Sequence, residues 1–215
     1  GASLLQQILD TPNQEVGSHS FSHFYCCEPG VSLESFEADI LASKAILHEY
    51  GVSPKSFVFP RNQYSLPHVQ LLAKHGITAI RGNEAHWAYA MGSRNPNSKL
   101  RRVFRLADSY VNLSGAPRQE TSAVGAQSVN VPASRFLRPY SAKLNALEPL
   151  KLKRIKRAMS KAAKEGGLFH LWWHPHNFGQ QLEQNMAMLD DILRHYQLLG
   201  DLHGMRSVSM AEAAG

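Results

Sequence analysis

Apolar positions along the chain fall into short runs that alternate with longer stretches of helical spacing. From Ser32 to Tyr50, Phe36, Ile40, Leu41 and Leu47 recur at the intervals of one helix face. Ser32 is placed to cap this segment, Ser35 stands at its third helical position, and Gly51 ends it. Residues 65–75, stopped by Gly76, read the same way. So do residues 149–165, opened by Pro149 and closed by Gly166-Gly167, and residues 179–199. Residues 3–9 read as the tail of a helix. Between these lie runs expected as strands: 15–18, 56–59 stopped by Pro60, 77–80, 136–140, 168–173 and a last one at 207–208. One more strand is expected within 103–113. Two polar stretches, 82–102 and 114–134, read as long loops. Strands alternating with helices predict an α/β fold with parallel pairing and helices outside; an open sheet and a barrel both satisfy the pattern.

At 215 residues, with 43% hydrophobic and 19% charged positions, the chain can bury a core and is not a disordered segment. No linker divides it, so residues 1–215 are expected to form one domain. No run approaches the ~18 apolar residues of a membrane-spanning helix. The net charge of +6 is compatible with nucleic acid, anionic glycan or anionic lipid, and selects none of them. Cys26 and Cys27 are adjacent, too close for an unstrained bridge, so a disulfide scaffold is excluded and the redox compartment stays open. The densest charge lies at Lys151, Lys153, Arg154, Lys156, Arg157, Lys161 and Lys164, around an apolar stripe of Leu152, Ile155, Met159 and Ala162. The stripe is expected in the core and the charges on a solvated outer face, the other reading being an anion-binding surface. No nucleic-acid reading motif accompanies them, and no nucleic-acid partner is expected.

In α/β folds, chemistry collects at the C-terminal ends of the strands. Gly17-Ser18-His19-Ser20-Phe21-Ser22-His23 follows the first expected strand, Pro60-Arg61-Asn62-Gln63-Tyr64 the second, Arg81-Gly82-Asn83 the third, and His174-Pro175-His176-Asn177-Phe178 the late one. His19 and His23 are four apart, which on a helical turn brings both imidazoles to one cation such as zinc. The same spacing also suits two surface or capping histidines. His174, at a strand end, can act as a general acid or base with its ordinary pKa of ~6.5, or be a buried histidine held by backbone. Arg61 can orient a carboxylate or hold an anion, or form a surface salt bridge. Trp172 and Trp173 alternate faces, so one is expected in the core, while the other can floor a sugar site or simply pack.

The run Glu15-Val16-Gly17-Ser18-His19-Ser20-Phe21-Ser22-His23 resembles the metal-binding H-[S/T]-x-x-H motif of the polysaccharide deacetylases, the NodB-like carbohydrate esterases of family 4. Phe57-Val58-Phe59-Pro60-Arg61 stands in the place of that family's third motif, although there the arginine precedes the proline. Leu171-Trp172-Trp173-His174 resembles the fifth motif, and Met205 to Glu212 resembles the closing strand and helix. The resemblance implies a deformed (β/α) barrel and a metal-dependent hydrolase that removes acetyl groups from a polysaccharide or amino sugar. It implies His19 and His23 as ligands of Zn2+ or another divalent metal, and His174 with Arg61 as the catalytic pair. Trp173, Tyr64 and His176 are then the candidates for contact with a glycan substrate. A cell-envelope or secreted location follows from the resemblance alone.

The family's first motif, T-F-D-D, supplies its base aspartate and third metal ligand. No residue run before His19 matches it: Asp10 stands in a helix-end context, Asp190-Asp191 read as the solvated side of a late helix, and Asp108 only echoes the fourth motif. The expectation is therefore an N-terminally truncated domain that binds metal weakly and is inactive or impaired, with open sheet edges that a second copy of the chain could cover. The competing expectations are a non-catalytic glycan-binding module on the same scaffold, and a basic nucleic-acid or membrane-surface protein that uses residues 151–164.

Overall fold

A computed structural model describes residues 1–83, 86–89, 98–116 and 118–215. In chain order the elements are α1 (Ala2–Leu9), α2 (Leu33–Glu49), β1 (Ser56–Phe57), α3 (Leu66–Lys74), β2 (Ala79–Ile80), α4 (Lys99–Tyr110), β3 (Ser122–Val124), β4 (Ser128–Asn130), β5 (Arg135–Phe136), α5 (Glu148–Glu165), β6 (Leu171–Trp172), α6 (Leu182–His203) and α7 (Met210–Ala214). They form two compact units. The first comprises Gly1–Gly82, Thr121–Pro132 and Ser207–Gly215; the second comprises Asn83–Glu120 and Ala133–Arg206. No helix among the described residues is long and apolar enough to cross a membrane.

The first unit is built on a sheet of order β1-β2-β4-β3. β1, β2 and β4 run parallel, with Ser56 opposite Ala79 and Ile80 opposite Asn130, while β3 returns antiparallel to β4. Residue 18 adds only an isolated parallel bridge to Phe57, so the strand expected at 15–18 does not form. The α2 N-terminus is a capping box: Ser32 Oγ accepts from the Ser35 amide at 3.2 Å, and Ser35 Oγ accepts from the Ser32 amide at 3.0 Å. The core gathers Phe36, Ile40, Phe57, Phe59, Leu72 and Ile80, all fully buried. Leu41 departs from the expected stripe and is 48% exposed. Its place toward the core is taken by Asp39 and Ser43, which are buried because they hold the loop described below.

The second unit holds β5 and β6, a parallel pair with Phe136 opposite Trp172. Its core lies among Leu137, Ile155, Met159, Phe178, Ile192 and Leu199, which brings together α5 and α6. The α/β class is as expected. Among the described residues the sheet is open, the β5–β6 pair is a separate sheet, and no barrel is closed. Strands of two or three residues give too little pairing to carry curvature round a circle.

Three further local expectations fail. The strand within 103–113 does not form: residues 103–110 belong to α4, where Ser98 Oγ caps the Arg101 amide at 3.4 Å and helical spacing outweighs β-branched Val103, while Val111, just past the helix, is extended. The expected loop 114–134 contains the β3–β4 hairpin, concealed because its strands carry Ser122, Ser128 and Asn130 and turn at Gly125, which has φ +67°. Residues 207–208 form no strand and lead into α7. Of the expected loop 82–102, residues 84, 85 and 90–97 lie outside the described residues, and Lys99–Arg102 are helical.

The basic stretch of α5 also differs from expectation. Its apolar stripe is in the core, but Lys151 and Arg154 are only 1% and 8% exposed. Burying a cation needs a partner carboxylate. Glu148, one turn earlier, pairs with Lys151, whose ammonium also donates to the carbonyls of Arg138 (3.0 Å) and Pro139 (3.2 Å). Arg154 meets Asp108 of α4 at 2.6 Å. Asp108 is fully buried and accepts from the Ser114 amide (2.7 Å), the Leu113 amide (2.9 Å) and the Tyr89 hydroxyl (2.8 Å). Burial alone would raise its carboxyl pKa. The Ser114 amide, the Tyr89 hydroxyl and Arg154 outweigh that and hold it below the usual range.

A folded value below the unfolded one contributes stability above the ordinary carboxylate range, and this is lost as pH falls through the lowered value. Asp108→Asn leaves Arg154 buried without its anion and is expected to cost about 3–5 kcal/mol. Urea unfolding followed across acidic pH checks both points: the variant should be less stable at neutral pH and should lose less stability on acidification than the parent.

Candidate functional site

The two histidines stand on a loop of the first unit that runs alongside β1. The Ser18 amide donates to the Ser56 carbonyl at 2.9 Å, and the Val58 amide donates to the Ser18 carbonyl at 3.0 Å. Gly17 permits this approach, since a Cβ there would collide with the Ser56 side chain and its carbonyl. Ser18 Oγ is hydrogen-bonded to Ser43 Oγ of α2 at 2.8 Å, both groups being buried. The loop then turns through Ser20 and His23, with φ of 66° and 59°. It is not a helical turn, so the spacing of four meets at one place through two left-handed residues rather than along a helix face. Asp39 of α2 holds the turn: its carboxylate accepts from the amides of Phe21 (2.8 Å) and Ser22 (2.9 Å) and from the Ser22 hydroxyl.

The rings of His19 and His23 meet edge to face, with centroids 4.9 Å apart and planes at 69°. His19 Nδ1 lies 2.6 Å from the Val58 carbonyl. A carbonyl only accepts, so Nδ1 carries the proton and Nε2 keeps its lone pair. His23 Nδ1 is 3.2 Å from the Tyr25 hydroxyl; where the phenol accepts this bond, Nε2 keeps its lone pair for another partner. Burial lowers the His19 pKa, the Val58 carbonyl opposes it, and the His23 and Arg81 charges add to it; the net shift is downward. The neutral ring, the form that binds metals, is thereby favoured. Both imidazoles are exposed.

Arg61 and Asn62 also adopt left-handed backbone, with φ of 51° and 54°. The exposed Arg61 guanidinium lies 3.9 Å from the Tyr25 ring centroid and 3.3 Å from Glu28. Tyr25 thus touches both His23 and Arg61. At the end of β2, buried Arg81 donates to Asn62 Oδ1 at 2.9 Å, and burial brings its pKa down to about 10. Tyr64 lies half-buried against the core, stacked on Phe59 at 4.7 Å. Cys26 and Cys27 are free, and burial pushes the Cys26 thiol up to about 12.

In the second unit His174 follows β6 and is exposed. Its ring stands edge-on to Trp172 at 5.6 Å and lies 5.4 Å from His176, also exposed. Trp172 packs on Phe136 at 4.5 Å. Trp173 takes the opposite face, stacked on Phe178 at 6.0 Å and against the core of this unit. Asp190 and Asp191 lie on the solvated side of α6, paired with Arg194 and Lys156.

Sequence reasoning found Arg81 at its strand end and missed Asp39 and Tyr25. The signal for Asp39 was an acid within the apolar stripe between Phe36 and Ile40, a position a carboxylate occupies only when something donates to it. Asp39→Ala leaves the Phe21 and Ser22 amides without their acceptor. It is expected to cost about 1–3 kcal/mol and to speed amide exchange at Phe21 and Ser22. Exchange as slow as in the parent would show that the carboxylate does not hold the loop.

Among the described residues no group of three His, Cys, Asp or Glu side chains is placed to hold a metal, so the imidazole pair offers two ligands. A 4-alpha-glucanotransferase from Thermococcus litoralis is similar in structure with a TM-score of 0.47 at 13% identity, over 80% of this chain. The chain spans 22% of the length of that structure. No curated protein matches. Residues 1–80 match the family model for polysaccharide deacetylase. The segment that carries the His19–His23 loop, Arg61 and the first two strands of the sheet is thus the part of the chain that is similar to the polysaccharide deacetylases.

Proposed function

We propose that the protein serves the hydrolytic removal of acetyl groups from a polysaccharide or amino sugar, with a divalent metal such as Zn2+ at His19 and His23. The observation that carries this reading is the fixing of both rings through Nδ1, His19 by a backbone carbonyl and His23 by a phenol, with each Nε2 left for a shared cation. A ligating histidine has this arrangement, its far nitrogen held by a second partner that sets tautomer and orientation. The lowered pKa of His19 fits the same role. When bound, the metal supplies a Lewis acid for the acetyl carbonyl and makes water a better nucleophile. His19 and His23 hold and orient, and Tyr25 keeps the His23 ring in place. His174, by its likeness to the family's general acid, delivers a proton to the leaving amine or alkoxide. Arg61 holds an anionic group beside Tyr25, and Tyr64 and His176, each in its own unit, are the further candidates for glycan contact. The family's deformed barrel is the architecture this reading implies for the complete site.

Two protein ligands make a weak site, because tight zinc centres use three or four. Zinc titration is expected to reveal one weak equivalent that is lost in His19→Ala and in His23→Ala and kept in His174→Ala. Acetate release from an acetylated chito-oligosaccharide should require the metal and fall ~100-fold in His174→Ala. Zinc binding that survives replacement of both His19 and His23 would overturn the assignment.

A further inference from the structure

The outward face of α4 is used neither by the core nor by the deacetylase reading. A surface helix normally turns its apolar stripe to the core and its charges to water. α4 reverses this. Leu100, Val103 and Leu106 recur every third residue along one side and are 71%, 63% and 39% exposed. Val111, just past the helix end, is 54% exposed. Trp87, 48% exposed, packs against Phe104 with ring centroids 5.0 Å apart, one turn from Leu100. Asp108 is buried on the side away from Val103 and Leu106, Tyr110 is buried at the C-terminal end of the helix, and Arg101, Phe104 and Arg105 are half-buried.

The charge beside this apolar side has one sign. From Ser98 to Ala107 the sequence holds Lys99, Arg101, Arg102 and Arg105 and no Asp or Glu. Burial lowers the pKa of Arg105, and Arg138, Arg101 and Arg102 press it further down as neighbouring cations, against the opposing Tyr89 phenol. The exposed cations among them, Lys99 and Arg102, suit an anionic partner. The partner must also accept exposed leucine and valine. Nucleic acid would take the cations and leave the apolar residues in water. A second copy of the chain would bring two cationic faces together, which opposes self-association through α4.

We propose that α4 lies on the surface of a membrane that carries anionic phospholipids. Leu100, Val103 and Leu106 enter the boundary between headgroups and acyl chains, and Lys99 and Arg102 meet lipid phosphates. The helix lies in the interface and does not span it; at 12 residues it is about 18 Å long. The attachment is independent of the proposed chemistry and stands or falls without it.

The test uses the whole chain, sedimented with vesicles of phosphatidylcholine and phosphatidylglycerol in equal parts, against vesicles of phosphatidylcholine alone. Binding to the anionic vesicles is expected to be ~10-fold or more tighter and to weaken as salt is raised. Trp87 emission should shift to the blue on binding, and Trp87→Phe should remove that part of the change. The variant L100N/V103N/L106N, altered only at exposed positions, should keep its circular dichroism and its melting temperature while binding ~10-fold or more weakly. K99E/R102E should lose the preference for anionic vesicles. Equal binding to both vesicle types, undiminished binding of L100N/V103N/L106N, or no vesicle binding at all would overturn the proposal. So would binding to duplex DNA without vesicle binding, or a dimer abolished by L100N/V103N/L106N in a chain that ignores vesicles.

Discussion

The carboxylate of Asp39 lies within the apolar stripe of α2, where only hydrogen bonds can offset its loss of water. It finds them in the backbone of the loop that carries the histidines: two amides and a hydroxyl converge on its two oxygens. The arrangement fixes α2 and the loop to each other. A second clamp from the same helix, Ser43 to Ser18, ties the start of the loop down where it runs beside β1. With both ends held, the left-handed conformations at Ser20 and His23 become affordable, and the two rings meet. The geometry of the imidazole pair is thus a property of the helix core rather than of the motif itself.

This separates what the sequence made legible from what it did not. The cap of α2 was legible because Ser32 and Ser35 act on each other across three residues. The pairing of His19 with His23 was legible as a spacing, although the reason lay in loop backbone and not in a helical turn. The clamps were illegible because their partners are 17 and 25 residues away, and nothing in a stretch of sequence marks which distant donor a buried acid will meet. The family match over residues 1–80 covers this loop, its clamping helix and β1 and β2.

The β3–β4 hairpin was missed for a different cause. Its strands alternate over only three residues each, too short for a period to emerge, and its inward positions include Ser128 rather than a large apolar side chain. α4 reads as a strand in sequence because Val111, just past its end, is extended and β-branched Val103 within it favours the same backbone. The cap at Ser98 and continuous helical spacing outweigh that preference.

The two basic helices of the second unit show why charge density in a sequence does not give the charge on a surface. In α5 the cations that could form an outer face are divided. Lys151 is neutralised within the helix by Glu148, three residues earlier, which is a legible pairing. Arg154 is neutralised by Asp108 across 46 residues, which is not. With Asp108 turned inward to meet Arg154, Val103 and Leu106 fall on the opposite side of the helix. The buried ion pair therefore sets the rotation of α4 and leaves that apolar side outward. A fold built this way trades an apolar contact for a buried charge network, and the exposed leucines of α4 follow from the Asp108–Arg154 pair as much as from their own sequence.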